Sequence, residues 1–231
     1  MANAVISRNQ GDEYQARYFW IEACRLFQAH SKVGRVAYEL DEPRAFDDVG
    51  VFYSQPIRDE RGDEIDADYY QIKYHVTQNG AFTCDSLIEP AFINASGVAL
   101  LQRLHNAQQR FAPTGRGCRF TILTPWIIQP DDPLASLVSN NRGQLRLDRL
   151  YDGTGLRGAM GQVRYKWCKH LGLASEDDLA VVLNPLRIEA GYWGLDRLND
   201  LLNDRLAVAS NLIPPSSRPK KPDSFVNFLA A

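Results

Sequence analysis

Hydrophobic positions recur along this chain with two periods, and each change of period marks a new element. Residues 12–30, DEYQARYFWIEACRLFQAH, are apolar at 14, 18 and 21 and at 19, 23, 26 and 27, with acids in the first turn. No Gly or Pro interrupts them, so the spacing predicts an amphipathic helix. The period then falls to two. RVAYEL (35–40), FDDVGVFY (46–53) and ADYYQIKYHV (67–76) read as strands. SQPIRDERGDEID, between the last two, has the Pro and Gly of an exposed hairpin loop. A helical stretch over 86–110 is interrupted near Ala95-Ser96-Gly97, and GCRFTILTPWII (117–128) reads as a buried strand ended by Pro130. Two more helices are predicted at 133–151 and 158–172, then a strand or loop pair at 179–192 and a leucine-rich helix at 194–209. The order predicts an α/β (α+β) fold: a mixed sheet flanked by helices, with helical decoration after it.

Composition places this pattern in an ordinary globular protein, 45% hydrophobic and 23% charged, with no apolar run of membrane-span length. Cys24, Cys84, Cys118 and Cys168 lie far apart without C-x-x-C spacing, which suits a reducing cytoplasm and argues against a zinc site. Net charge is only −2, but it is unevenly spread. Residues 41–68 hold ten Asp/Glu against three Arg, and 142–169 hold seven Arg/Lys against two Asp. An acidic segment suited to cations and a basic one suited to phosphates share one small domain. The tail from residue 211 to 231 is rich in Pro, Ser and Lys, a linker composition that sets it apart from a domain over 1–210.

The strand at 67–76 poses a chemical question, because Gln71 and Lys73 share a face with Tyr69 and His75. A wet face of an amphipathic strand would explain them. So would half of a metal site. Antiparallel pairing brings the start of the preceding strand, Asp48, towards Gln71 and Lys73, and Glu39 ends the strand before that. Asp47 competes with Asp48, although alternation sets Asp47 with Val49 and Val51 on the core side. One or two carboxylates, an amide oxygen and the Ile72 carbonyl make an all-oxygen set of the kind that suits Mg²⁺ or Mn²⁺. A lysine beside such an ion can orient and help deprotonate a water that attacks phosphorus.

An acid, a hairpin and then Gln-x-Lys resembles the PD-(D/E)xK restriction-endonuclease-like nucleases, in the Gln-x-Lys variant of Mrr-like enzymes. GDEYQARYFW (11–20), YELDEPRAFDDVGVFY (38–53) and YYQIKYHV (69–76) together look like the N-terminal nuclease domain of bacterial anti-phage effectors. These are the CD-NTase-associated double-stranded DNA endonucleases of CBASS systems and the similar nuclease modules of antiviral STAND ATPases. The likeness runs over most of 11–210, with its specific motifs in the first eighty residues. It implies a metal-dependent endonuclease acting on double-stranded DNA. Asp48 and Gln71 would be metal ligands, Lys73 the catalytic lysine and Glu39 an accessory acid. It also implies a C-terminal sensor joined through the 211–231 linker and homo-oligomerisation on activation. A catalytically silent binding or assembly module with the same fold is the competing expectation.

Other signals carry less. Gly153, Gly155 and Gly158 spell G-x-G-x-x-G, but the acids that follow precede the next apolar run, the wrong order for a dinucleotide fold. This loop, with Arg157, reads as a helix cap or a phosphate contact. Arg164, Lys166 and Lys169, interleaved with Tyr165 and Trp167, read either as a DNA-backbone surface or as a solvated helix face. Nucleophile-elbow and phosphate-loop sequences are absent.

Overall fold

In a computed structural model of the chain, the described residues are 2–74, 81–93, 95–140, 142–153, 155 and 157–212. Five strands form one sheet in chain order: β1 (Val33–Tyr38), β2 (Val49–Arg58), β3 (Glu64–Ile72), β4 (Gly117–Leu123) and β5 (Leu186–Glu189). β1, β2 and β3 pair antiparallel, then β4 and β5 add parallel. This is the expected mixed sheet, consistent with a restriction-endonuclease-like core. α1 (Ala2–Ala23) precedes it, and α2 (Leu100–Phe111) makes the crossover from β3 to β4 that parallel pairing requires. α3 (Pro133–Leu137), α4 (Leu147–Leu150), α5 (Ala159–Leu171) and α6 (Glu176–Leu183) lead to β5, and α7 (Leu195–Leu212) follows it.

Both faces of the sheet are covered. On one, Phe120 and Ile122 meet Leu100 and Leu104 of α2, Trp167 of α5 and Leu183 of α6. On the other, Val49, Val51, Tyr70 and Ile72 meet Tyr14 and Tyr18 of α1 and Leu198 of α7. The wet-face expectation for β3 therefore fails. From Ala67 to Ile72 every residue is buried, and Gln71 is 4% exposed.

Several boundaries differ from the sequence reading for local reasons. The first helix starts earlier and gives way to a 3₁₀ turn at Cys24–Phe27, with His30 in the left-handed region (φ 64°) reversing the chain. β4 stops at Leu123, not at Pro130. Thr124 Oγ1 accepts the Trp126 N–H, and Pro125 has no donor for the ladder. The helix expected over 133–151 splits at Arg142 and Gly143, both at positive φ. A Cβ on Gly143 would lie 2.4 Å from the Ile188 carbonyl oxygen, so only glycine fits there. LAVVL (179–183) is helical rather than extended. Ser175 Oγ accepts the Asp178 N–H while Asp178 Oδ2 accepts the Ser175 N–H, a capping box that starts α6.

The hairpin between β2 and β3 is not simply an exposed loop. Asp59 Oδ1 accepts the N–H groups of Arg61 and Asp63, while its Oδ2 lies 3.0 Å from Arg187 Nη2 in a pair whose side chains are each 3% exposed. Arg61 also bonds the Asn184 side chain and the Leu145 carbonyl. The hairpin tip is thereby fastened across β4 to the region of β5. No helix among the described residues is long and apolar enough to cross a membrane. Nearly all of the expected linker, and His75 of the strand motif, lie outside the described residues.

Candidate active site

β2 pairs with β3 only as far as Val49↔Tyr70 at this end of the sheet, which leaves the Ile72 N–H beyond the last ladder partner. The Asp48 side chain takes the missing place. Its Oδ2 accepts from the Ile72 N–H at 2.5 Å and from Gln71 Nε2 at 2.6 Å. The backbone locks this corner: Asp48 donates to the Tyr70 carbonyl and its own carbonyl accepts from Glu39. On the other side of β3, the Lys73 N–H bonds the Leu123 carbonyl and carries the pairing one residue past the strand.

Gln71, Lys73 and Asp47 line one cavity of about 920 Å³. One wall is the β1–β2 connection, with Asp41, Glu42 and Arg44, and the opposite wall is α2, with Arg103, Asn106 and Arg110. Burial pushes the Asp48 carboxyl above its usual range, opposed by the Ile72 N–H, the Lys73 ammonium and the Gln71 amide, while Asp47 adds to the rise. Burial also lowers the Lys73 ammonium, with Asp48 holding it up and Arg103 depressing it further. Burial thus disfavours the charged form of both neighbouring groups.

The structure brings Asp48, Gln71 and Lys73 together. Asp47 joins the cavity, with its Oδ1 held by the Ala45 N–H, so both neighbouring acids sit at this corner and Asp48 is the one in contact with Gln71. Glu39 is not gathered in. It sits at φ 48° just past β1, exposed, and does not line the cavity. Among the described residues no group of three or more His, Cys, Asp or Glu forms a metal cluster. A donor set of few carboxylates with amide and carbonyl oxygens fits Mg²⁺, which keeps several waters, better than Zn²⁺ or an all-protein Ca²⁺ cage.

The basic residues expected to contact DNA are dispersed differently from the sequence reading. Arg164 is 3% exposed, its guanidinium donating to the Leu150 and Gly153 carbonyls and pairing with Glu176 at 2.7 Å. It is an internal fastener of α5, with no surface to offer a phosphate. Lys166 Nζ is held by both carboxylate oxygens of Asp85, at 2.8 and 2.9 Å. Arg157 and Lys169 are exposed, and neither lines the cavity beside Lys73. Trp167 is in the core at 0% exposure. Arg103 and Arg110, which the sequence reading did not single out, line that cavity instead. Seven residues apart, opposite the buried Leu100, Leu104 and Ala107, they are legible as a helix face, but nothing local in the sequence sets that face over Lys73.

An α+β domain with an acid, an amide and a lysine at one end of its sheet is the class these features define. No family model matches the chain. It is 42% identical over 204 residues to CD-NTase-associated protein 4 of Enterobacter hormaechei subsp. hoffmannii (strain UCI 50). That match covers 88% of this chain and 40% of the relative, so the chain spans less than half of the relative's length. Among solved structures, the Cap4 SAVED/CARF-domain containing receptor of Acinetobacter baumannii aligns with a TM-score of 0.43 and 12% identity. The alignment covers 93% of this chain and 41% of that one, and at this score it carries no argument.

Proposed function

We propose that this chain is a metal-dependent endonuclease domain that hydrolyses phosphodiester bonds of double-stranded DNA, the effector part of a CBASS anti-phage protein of the CD-NTase-associated protein 4 kind. The observation that carries the reading is the contact of buried Asp48 with Gln71, which with Lys73 lines the cavity. The 42% identity to that relative supports the defence role. The remainder of such a protein would carry a sensor that gathers several copies.

Asp48, the Gln71 amide oxygen and the Ile72 carbonyl would hold a Mg²⁺ or Mn²⁺ ion, with Asp47 near enough to contribute through water. Bound there, the ion would neutralise phosphate charge and acidify a coordinated water. Lys73 orients the attacking water and stabilises charge on the phosphate oxygens. A bond forms from the water oxygen to phosphorus as the bond to the 3′ oxygen breaks, and that oxygen leaves as an alkoxide that takes up a proton. To hold the ion, Gln71 would have to present its amide oxygen in place of the nitrogen that now donates to Asp48.

The test is cleavage of supercoiled plasmid by the wild-type chain and Lys73→Ala in Mg²⁺, in Mn²⁺ and in EDTA. Metal-dependent cleavage that the variant loses supports the reading, and equal cleavage by both proteins overturns it. If neither cuts, the wild type is clustered on a multivalent scaffold. Continued inactivity then favours the silent module.

A further inference from the structure

The cavity has one mainly acidic wall and one basic wall. The β1–β2 connection presents Asp41, Glu42 and Asp47 with Arg44 among them, whereas α2 presents Arg103, Asn106 and Arg110 on one face at spacings of three, four and seven. The back of the same helix is anchored by Leu100, Leu101, Leu104 and Ala107, all buried, so the basic face is fixed relative to Gln71 and Lys73. Arg103 Nε donates to the Val98 carbonyl at 3.2 Å, which aims the guanidinium without neutralising it. Arg110 pairs with Glu42 across the cavity at 2.8 Å, both side chains being well exposed. From Arg103 to Arg110 the helix rises about 10 Å, roughly three base steps of a duplex at about 3.4 Å each.

We infer that the Arg103–Asn106–Arg110 face of α2 is the phosphate-binding wall of this site, along which the backbone of a DNA duplex lies so that one phosphodiester reaches Lys73. Glu42 competes with that backbone for Arg110 and acts as a counter-charge that the duplex must displace. The inference rests on the nuclease reading for the purpose of the site, but it concerns binding and is tested without cleavage.

The experiment is fluorescence anisotropy of a labelled DNA duplex of about 20 base pairs in EDTA across a salt series, with the 231-residue chain. Arg103→Gln and Arg110→Gln should each weaken binding about three- to tenfold at low salt and lower the salt slope by about one. Arg103→Lys should restore the slope, since it restores the charge. Lys166→Ala should leave both unchanged, because Asp85 already neutralises that lysine. Glu42→Gln should bind about threefold more tightly, a gain that misfolding does not mimic. Wild-type slope and affinity in both arginine variants would overturn the inference, as would absence of duplex binding by the wild type at low salt. Arginine-dependent binding by a wild type that stays inactive even when clustered would sink the nuclease reading and leave the wall standing. Cleavage with unchanged arginine variants would do the reverse.

Discussion

Asp48 Oδ2 lies 2.6 Å from the Gln71 amide nitrogen and 2.5 Å from the Ile72 backbone nitrogen, so one carboxylate oxygen closes the end of the β2–β3 ladder. The group that would bind the ion is also a structural acceptor. Because burial holds the Asp48 carboxyl above its ordinary range, its ionised form is disfavoured in the folded state, and stability falls as pH rises through the folded value. Asp48→Asn keeps an acceptor oxygen and removes the charge. In EDTA it should melt about 2–4 °C higher than wild type, the equivalent of roughly 1 kcal/mol. Cleavage should be lost. A variant that melts lower, measured by calorimetry at neutral pH, would contradict this account.

Glu189 provides the clearer pH signal. Burial, then the nearby charges of Glu22 and Asp68, push its carboxyl up to about 7, against Arg119 and Arg142. An acid whose folded value is raised binds more protons folded than unfolded, so stability is full at pH 4.5 or below and declines towards and past 7. The wild-type melting temperature should therefore fall between mildly acidic and mildly alkaline buffer. Glu189→Gln should flatten most of that fall, and Glu22, also raised by burial, should keep the rest. Parallel curves for the two proteins would show that Glu189 is not the cause.

The pair of Asp59 with Arg187 is desolvated on both sides. Removing one partner of such a pair leaves an uncompensated charge, so Asp59→Ala should cost about 3–5 kcal/mol in urea unfolding. Arg187→Met, which removes the positive charge but keeps the volume, should cost less in the Asp59→Ala background than in wild type. Additive losses would show that the two side chains do not interact.

Trp167 donates its indole N–H to the Cys84 carbonyl at 3.0 Å. Trp167→Phe should cost about 1–3 kcal/mol, because it strands a buried carbonyl, and should leave duplex affinity unchanged. Tyr165→Phe, at an exposed position, should stay within about 0.5 kcal/mol of wild type. Weaker DNA binding by the tryptophan variant at unchanged stability would return that helix to the nucleic-acid surface.

The corner of the sheet was legible in the sequence because it is local. Asp48, Gln71 and Lys73 are joined by one hairpin, and alternation along two strands carries them to the same end. Alternation set Asp47 with Val49 and Val51 on the core side, yet it lines the cavity with Gln71 and Lys73 while the two valines are in the core. Glu39 was chosen for its place at the end of the preceding strand, but its own left-handed backbone (φ 48°), which the sequence does not announce, puts it just past β1 and outside the cavity lining. The helical LAVVL carries its signal upstream, in the Ser175-x-x-Asp178 cap, which the strand reading of 179–192 left out. Arg164 could not have been assigned from its own helix, since its partner Glu176 arrives after a turn of the chain. The α2 wall depends on the crossover between parallel strands, a long-range contact that no window of sequence contains.

The fastened hairpin has a mechanical consequence. Asp59 and Arg61 bolt the β2–β3 tip to Arg187, Asn184 and Leu145 at one end of the sheet, while the Asp48 corner lies about 26 Å away along β3. Bracing at one end makes the strands behave as a cantilever. A load that the proposed duplex put on the Asp48 corner would be resisted at the braced root, with the Asp48 side chain and the backbone bonds of Asp48 and Lys73 holding the far end.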